Sequence, residues 1–378
     1  MWLISTAAYW SSLAVVGYTY AGYPAAITAL GKLRRRPVAG DPGYEPGLAI
    51  VMAAHNEAAR IGAKLDNLLA LDYPATRRQI VVVSDGSTDG TDDVVRGYAD
   101  RGVELIRVER ASGKPSALNL GVAAVRPDAE VIVFCDARQR IDAGALRALV
   151  APLADPDVGA VSGELFMEGE AGPGLYWRYE KLIRAAESQV DSVVGATGAL
   201  YAIRRALYRQ LPPETLLDDV FTPMQIAMQG FRVLFEPAAK VYDQEASVQG
   251  EFARKARTLA GNYQLLRQLP ALLDPRKNRL LPQLLSHKLM RLACPFALGT
   301  LLASNVYLVA TFAPGWPLYA ATLAGQLAGY GLALSGALRG ERAGKLARTS
   351  WTFVALNAAA VEGLRRYLKG DFAWTSGR

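Results

Sequence analysis

The sequence predicts an α/β fold: a mostly parallel sheet flanked by helices, with transmembrane helices at both ends of the chain. Apolar strand-like runs alternate with helical stretches between residues 48 and 245, the rhythm of βαβ units with right-handed crossovers. Long apolar runs occur near both ends of the chain. The length of 378 residues allows one large α/β domain and further segments.

The net charge of +7 is compatible with nucleic acid, an anionic membrane surface or an anionic donor such as a sugar nucleotide. Nucleic acid is disfavoured as a partner, because the sequence has no zinc-ligand spacing, RNA-binding signature or aromatic ladder. Cys135 and Cys294 are isolated in apolar runs. This argues against a disulfide framework and for a reducing compartment.

The first segment predicts a transmembrane helix. Residues 2–30 carry no charged side chain and are long enough to cross about 30 Å of hydrocarbon. Basic residues from Lys32 to Arg36 follow at once, which places that end in the cytoplasm. A cleaved signal peptide is the alternative, but its positive charge precedes the apolar run. We therefore expect a helix over residues 1–31 and a basic cytoplasmic linker, rich in Pro and Gly, over 32–47.

The stretch VVVSDGSTDGT, residues 81–91, predicts a buried strand that runs into an acidic, glycine-rich turn. Asp85 would lie at the carboxyl edge of the sheet, where open α/β folds bind nucleotides. The alternative is a solvated Asp-Gly turn that caps the following helix.

Two other predicted strands end in polar residues at the same edge. They cover residues 48–53 and 131–134, and a loop with the sequence SGKPSALNLG places Lys114 before a helix. The polar residues that follow the two strands are His55, Asn56, Glu57, Asp136 and Arg138.

An acidic pair and a basic helix come later in the chain. Asp218 and Asp219 open a predicted helix; carboxylates there are often only caps or dipole partners, but two adjacent acids exceed what a cap needs. Arg254 and Arg257 share one helical face. That face is either a clamp for a diphosphate or a basic surface turned to solvent or membrane.

The C-terminal third predicts a membrane region over residues 288–378, after interfacial helices over 246–287. Residues 289–313 and 318–338 are each long enough to span, and the basic residues after 338 indicate a cytoplasmic loop. The last apolar run is short and either spans, re-enters or lies in the interface. We expect an integral protein of the cell or inner membrane with a cytoplasmic catalytic domain.

The motifs AAHNEA, SDGSTDGT, SGKPSALNLG, FCDAR, LLDD and RKARTLAG follow one another between residues 48 and 266. In this order they resemble the membrane-integrated family-2 glycosyltransferases, the group of the cellulose, chitin-oligosaccharide, hyaluronan and poly-N-acetylglucosamine synthases. The resemblance implies the GT-A fold over residues 48–245, a Rossmann-like sheet that binds a nucleoside diphosphate sugar.

The resemblance also implies a role for each motif residue. Asp136 would ligate a divalent cation, Mg²⁺ or Mn²⁺, on the diphosphate. Asp219 would be the catalytic base, beside Asp218. The residues expected to bind the donor or acceptor are His55, Asn56, Glu57, Asp85, Lys114, Asp136, Arg138, Arg254 and Arg257.

The chain departs from the family pattern in two motifs. Arg138 replaces the second aspartate of Asp-x-Asp, which removes a carboxylate from the metal side. Arg254 and Thr258 replace the glutamine and tryptophan of Gln-x-x-Arg-Trp-x-x-Gly, two residues that accompany the acceptor site and polymer formation in the family.

The function implied is inverting sugar transfer from a nucleotide sugar, with UDP-sugar as the expected donor, to a growing exported polysaccharide or oligosaccharide. One alternative is a single addition to a polyprenyl-phosphate or glycolipid acceptor. Another is a domain that has lost catalysis and only binds. A dehydrogenase is excluded, because no G-x-G-x-x-G follows the first strand.

Overall fold

The computed structural model describes residues 1–168, 175–244, 248–312 and 317–371. The predicted boundary near residue 245 lies outside these ranges. The described residues divide into two compact units. The α/β unit holds residues 28–246 and 264–281, and the helical unit holds residues 1–27, 247–263 and 282–371.

Within the described residues, eight strands form one sheet in the order β3-β2-β1-β4-β7-β6-β8-β5. The strands are β1 (Leu48–Ala54), β2 (Arg78–Asp85), β3 (Val103–Val108), β4 (Val131–Cys135), β5 (Arg140–Ile141), β6 (Val158–Glu168), β7 (Leu200–Arg204) and β8 (Arg232–Gln244).

The helices are α1 (Trp2–Gly17), α2 (Tyr23–Leu33), α3 (Ala58–Leu69), α4 (Thr91–Arg96), α5 (Lys114–Ala123), α6 (Ala145–Val150), α7 (Leu175–Val190), α8 (Asp218–Met228), α9 (Val248–Gln268), α10 (Leu281–Gln283), α11 (Met290–Phe312), α12 (Pro317–Arg339) and α13 (Lys345–Lys369).

The predicted parallel pairing is confirmed for the first four strands. The other half of the sheet is mixed. Strand β7 pairs antiparallel with both β4 and β6, β6 pairs in parallel with β8, and β5 pairs antiparallel with β8. The fold is therefore an α/β fold with a mixed sheet.

The core of the α/β unit lies on both faces of its central strands. Every residue of β1 is buried, as expected for a parallel strand covered by helices on both sides. Helix α3 contributes Ile61, Leu65 and Leu68 to this core, and their spacing puts them on one helical face.

The helical unit contains the terminal helices. Residues 2–33 form one continuous helix, with a π-helical turn over Tyr18–Gly22 between α1 and α2. In the described part of the chain, two helices are long and apolar enough to cross a membrane, Trp2–Leu33 and Leu281–Thr311. The third predicted span coincides with α12, whose membrane role stays a prediction. The short last run is part of the longer α13.

Gly121 of α5 tests how closely this helix packs on the sheet. A Cβ atom there would lie 2.5 Å from Cγ1 of the buried Val51 and 3.1 Å from Cγ2 of Val83. We expect Gly121→Ala to destabilise the protein by about 1–3 kcal/mol through overpacking, measured by thermal unfolding. Gly62→Ala in α3 is the matched control: its Cβ would meet only ordinary contacts, so it should be neutral or stabilising by about 0.5–1 kcal/mol. Equal effects of the two variants would contradict this packing.

Candidate active site

Three adjacent parallel strands bring the predicted polar residues to one edge of the sheet. Asp85 is the last residue of β2, His55 follows β1, and Asp136 follows β4. Because β2, β1 and β4 are neighbours and parallel, their carboxyl ends meet at the same edge. This is the edge at which open α/β sheets bind ligands.

Asp85 lies beneath the loop that precedes Lys114. The residue is fully buried. Its Oδ1 accepts hydrogen bonds from the Ser112 N–H (2.7 Å) and the Ser112 hydroxyl (2.9 Å), and its Oδ2 accepts one from the Gly113 N–H (2.8 Å). Asp85 therefore fixes the loop in this structure, and its predicted role in substrate binding stays a prediction.

The turn after β1 is joined to the turn after β2. Asn56 has φ 55°, a left-handed conformation that asparagine adopts more readily than most residues. Its Oδ1 accepts from the Thr88 N–H (2.8 Å) and its own N–H donates to Ser87 Oγ (3.1 Å). The Glu57 N–H donates to Thr91 Oγ1 (2.8 Å). These bonds hold both turns in one arrangement.

His55 completes the same connection. Its Nδ1 lies 2.6 Å from the carbonyl oxygen of Asp85, so Nδ1 carries the proton that this carbonyl accepts. Nε2 lies 3.3 Å from Nδ2 of Asn56. The polar residues after β1 thus reach the end of β2, as the sequence predicted for a shared edge.

Asp89 lies in the turn for which helix capping was the alternative, and it accepts hydrogen bonds from the first residues of α3 and α4. Its Oδ2 accepts from the Ala58 N–H (3.0 Å), and its Oδ1 accepts from the Thr91 N–H (3.0 Å) and hydroxyl (2.5 Å). Burial alone would raise the pKa of Asp89, but these hydrogen bonds outweigh it and lower the pKa.

Lys114 joins two of the predicted acids. Its Nζ lies 3.0 Å from Asp136 Oδ1 and 3.3 Å from Asp218 Oδ2. Burial would lower the pKa of the Lys114 ammonium, but Asp136, Asp218 and Asp219 outweigh it and raise the pKa above its ordinary value. The residue is therefore a cation held among carboxylates, at the first position of α5.

The two acids at the start of α8 have different surroundings. Asp218 is buried and faces Lys114, whereas Asp219 is half-buried. Asp219 Oδ2 accepts from the Gly198 N–H (2.9 Å), and the Asp219 carbonyl accepts from the Ala196 N–H (2.7 Å). A Cβ on Gly198 would lie 3.1 Å from that Oδ2, so glycine leaves room for this approach. The small-residue stretch GATG is the sequence signal for it.

Arg138 lies against β8. Its Nη2 is 2.5 Å from Oδ2 of Asp243, a buried residue that also accepts from Gln139 Nε2 (3.1 Å). The buried Lys64 donates to the Gln139 carbonyl (2.7 Å). The turn after Asp136 is thus held from two sides. Sequence reasoning missed both Lys64 and Asp243, and the role of Arg138 at the substrate stays a prediction.

Arg254 and Arg257 lie on α9, in the part of that helix that belongs to the helical unit. Thr258, which stands where the family has tryptophan, is exposed, and its hydroxyl donates to the Arg254 carbonyl one turn earlier (3.0 Å). The predicted roles of both arginines at the donor diphosphate stay predictions.

Asp136 is the predicted metal ligand. Among the residues that the structure describes, no group of three His, Cys, Asp or Glu side chains could hold a metal ion. Mg²⁺ is, however, often bound by one or two carboxylates together with substrate phosphates. Asp136 fits this pattern, because 37% of its side chain is exposed.

The carboxylate of Asp85 can be tested directly. In Asp85→Asn the amide NH₂ would face at least one of the donors from Ser112 and Gly113. We expect a loss of about 1–3 kcal/mol of stability, because a buried donor is left unsatisfied, measured by thermal unfolding. Ser112→Ala removes one hydroxyl bond and should cost about 1 kcal/mol. An Asp85→Asn variant as stable as the wild type would show that the carboxylate does not hold the loop.

Residues 49–215 match the family described as Glycosyl transferase family 2. "Probable glycosyltransferase YdaM" of Bacillus subtilis (strain 168) is 27% identical over 256 residues, 62% of this chain and 60% of the relative. "Beta-monoglucosyldiacylglycerol synthase" of Synechocystis sp. (strain PCC 6803) is 27% identical over 205 residues, 50% of this chain and 42% of the relative. The chain thus spans about 60% or less of the length of these two relatives.

A solved structure is similar over nearly the whole chain. It is that of "Mannosyltransferase PcManGT from Pyrobaculum calidifontis in complex with GDP-Man and Mn2+", with a TM-score of 0.75 and 27% identity over 95% of this chain and 98% of that one. Together with the family match, this likeness supports a glycosyltransferase family 2 domain with the GT-A fold in this chain.

Proposed function

We propose that this protein is a membrane-embedded, inverting glycosyltransferase that moves a hexosyl group from a nucleoside diphosphate sugar to a lipid-linked acceptor. One observation carries the proposal: Lys114 contacts both Asp136 and Asp218 at the carboxyl edge of the sheet, next to the half-buried Asp219. The ammonium of Lys114, which can bind phosphates, thus lies near the carboxylate of Asp219, which can accept a proton. The similarity to known glycosyltransferases supports a hexosyltransferase.

The donor would bind through its diphosphate. Lys114 supplies a positive charge for the phosphate oxygens, which gain charge as the sugar leaves. Asp136 would hold a divalent cation together with those phosphates, and the cation would neutralise the leaving diphosphate. The similar mannosyltransferase structure contains GDP-Man and Mn²⁺, which supports both a nucleotide sugar and a divalent cation for this chain.

Asp219 is the proposed base. The acceptor oxygen attacks the anomeric carbon, the bond from that carbon to the phosphate oxygen breaks, and Asp219 takes the acceptor proton. The nucleoside diphosphate leaves with the bonding electron pair. Ordinary aspartates are ionised at neutral pH, so a carboxylate can take up this proton without special tuning. The Gly198 N–H holds one of its oxygens in place (2.9 Å).

The acceptor is proposed to be lipid-linked because of the helical unit and the relatives. Two helices, Trp2–Leu33 and Leu281–Thr311, are long and apolar enough to span, and one relative is named as a glycolipid synthase. Thr258 also offers no aromatic surface where the family has tryptophan. These observations favour a single addition. The arginine and glycine kept at Arg257 and Gly261 favour the alternative, a growing exported polysaccharide.

The function can be tested with protein purified in detergent and supplied with a panel of UDP- and GDP-sugars. Release of nucleoside diphosphate that depends on a lipid-linked acceptor supports the proposal. A single product would indicate one addition, whereas a ladder of polymer lengths would indicate a growing polysaccharide. Nucleotide binding without any transfer to any acceptor would favour a binding domain that has lost catalysis.

Asp219→Asn tests the base. Asparagine keeps an oxygen for the Gly198 N–H but cannot take a proton, so we expect kcat to fall by about 10²-fold or more while donor affinity stays nearly unchanged. Transfer rates and a nucleotide titration measure the two effects. Asp93→Asn, which alters an exposed acid on α4, is the control and should leave kcat unaltered. Near-normal turnover by Asp219→Asn would remove this residue from the proposed mechanism.

A further inference from the structure

The Lys114 ammonium lies against the carboxylate that is proposed to hold a metal ion. Its Nζ lies 3.0 Å from Asp136 Oδ1 and 3.3 Å from Asp218 Oδ2. The Lys114 side chain is 18% exposed and that of Asp218 is 8% exposed, against 37% for Asp136. Asp136 is therefore the most exposed of these three side chains, and the ammonium and Asp218 are more deeply buried.

The turn that follows Asp136 supplies no second carboxylate for a divalent cation. Arg138, two residues later, is held by Asp243 at 2.5 Å and brings a positive charge instead of a second carboxylate. A divalent cation on either oxygen of Asp136 would thus lie within a few ångström of the Lys114 ammonium. Like charges at such distances repel each other even near a protein surface.

We propose that Lys114 is a resident counter-ion that keeps the divalent cation off Asp136 until the donor binds. When the diphosphate enters, the ammonium moves from Asp136 to a phosphate oxygen, and Asp136 becomes available to the cation. This inference rests on the proposed function, because it needs a diphosphate as the second partner of the lysine. It assigns Lys114 two successive anionic partners, first a carboxylate and then a phosphate.

The proposed exchange couples the binding of the divalent cation to the binding of the nucleotide. If the nucleoside diphosphate draws Lys114 away from Asp136, it raises the affinity for the divalent cation, and the cation must raise the affinity for the nucleotide by the same factor. In the wild type this coupling contains both the direct contact of cation with phosphate and the release of Asp136. Without the lysine, only the direct contact remains. The coupling factor should therefore shrink when Lys114 is neutralised.

The test is a titration of Mn²⁺ alone into the full-length protein in detergent, followed by the electron paramagnetic resonance signal of free Mn²⁺. Lys114→Met keeps the apolar stem and removes the charge. We expect it to bind Mn²⁺ at least about tenfold more tightly than the wild type, because one nearby like charge is gone. Unchanged or weaker Mn²⁺ binding by Lys114→Met, or none that can be measured, overturns the proposal.

Matched variants locate the effect. Lys114→Arg keeps the charge and should keep the weak Mn²⁺ binding of the wild type. Lys277→Met removes an exposed lysine on the surface of the same unit and should leave Mn²⁺ affinity unchanged, which controls for net charge. Adding Asp136→Asn to Lys114→Met should abolish the gain. A gain that survives in this double variant would assign the Mn²⁺ to another place and overturn the proposal.

The wild type alone supplies a second measurement, in case Lys114→Met does not fold. Mn²⁺ affinity should rise by at least about tenfold when UDP or GDP is present. No rise, although the nucleotide binds, overturns the exchange. The proposed function fails in a different way: the wild type would then bind neither nucleotide and transfer no sugar.

Discussion

The contact of one ammonium with two carboxylates is the interaction on which the candidate site depends. A buried lysine is costly unless it is paired, so Lys114 must keep acids beside it. Asp136 follows β4 and Asp218 begins α8, so the ion pairs tie the start of α5 to two other elements. Residues far apart in sequence are thereby gathered at one sheet edge. Removing either acid would leave charge that burial makes unfavourable.

The loop before Lys114 is positioned by the end of β2. Asp85 accepts hydrogen bonds from the two residues that precede the lysine, and Gly113 has φ 90°, a conformation open mainly to glycine. Gly86, at φ 65°, also approaches this loop: a Cβ there would lie 2.4 Å from the Ala111 nitrogen. Asp85 and Gly86 of SDGSTDGT therefore act on the lysine through the loop. The motif therefore has a structural role that does not depend on a ligand.

The sequence predicted local elements well and their partners less well. The end of β4, the strand β1 and the helix that Asp218 opens follow from apolar runs and from polar residues at their ends, which are local signals. The place of β7 between β4 and β6 does not, because a strand pattern indicates that a strand forms but not which strand it pairs with. The Arg138–Asp243 pair has the same character: its members are 105 residues apart, and no spacing predicts such a contact.

The adjacent acids Asp218 and Asp219 lie in different surroundings. Consecutive residues at a helix start project about 100° apart around the axis, so the two carboxylates have different hydrogen-bond and ion-pair partners. Asp218 turns to Lys114 and is buried, while Asp219 turns to the Gly198 N–H and stays half-exposed. Asp218 thus pairs with the lysine ammonium, whereas Asp219 is held by a backbone N–H.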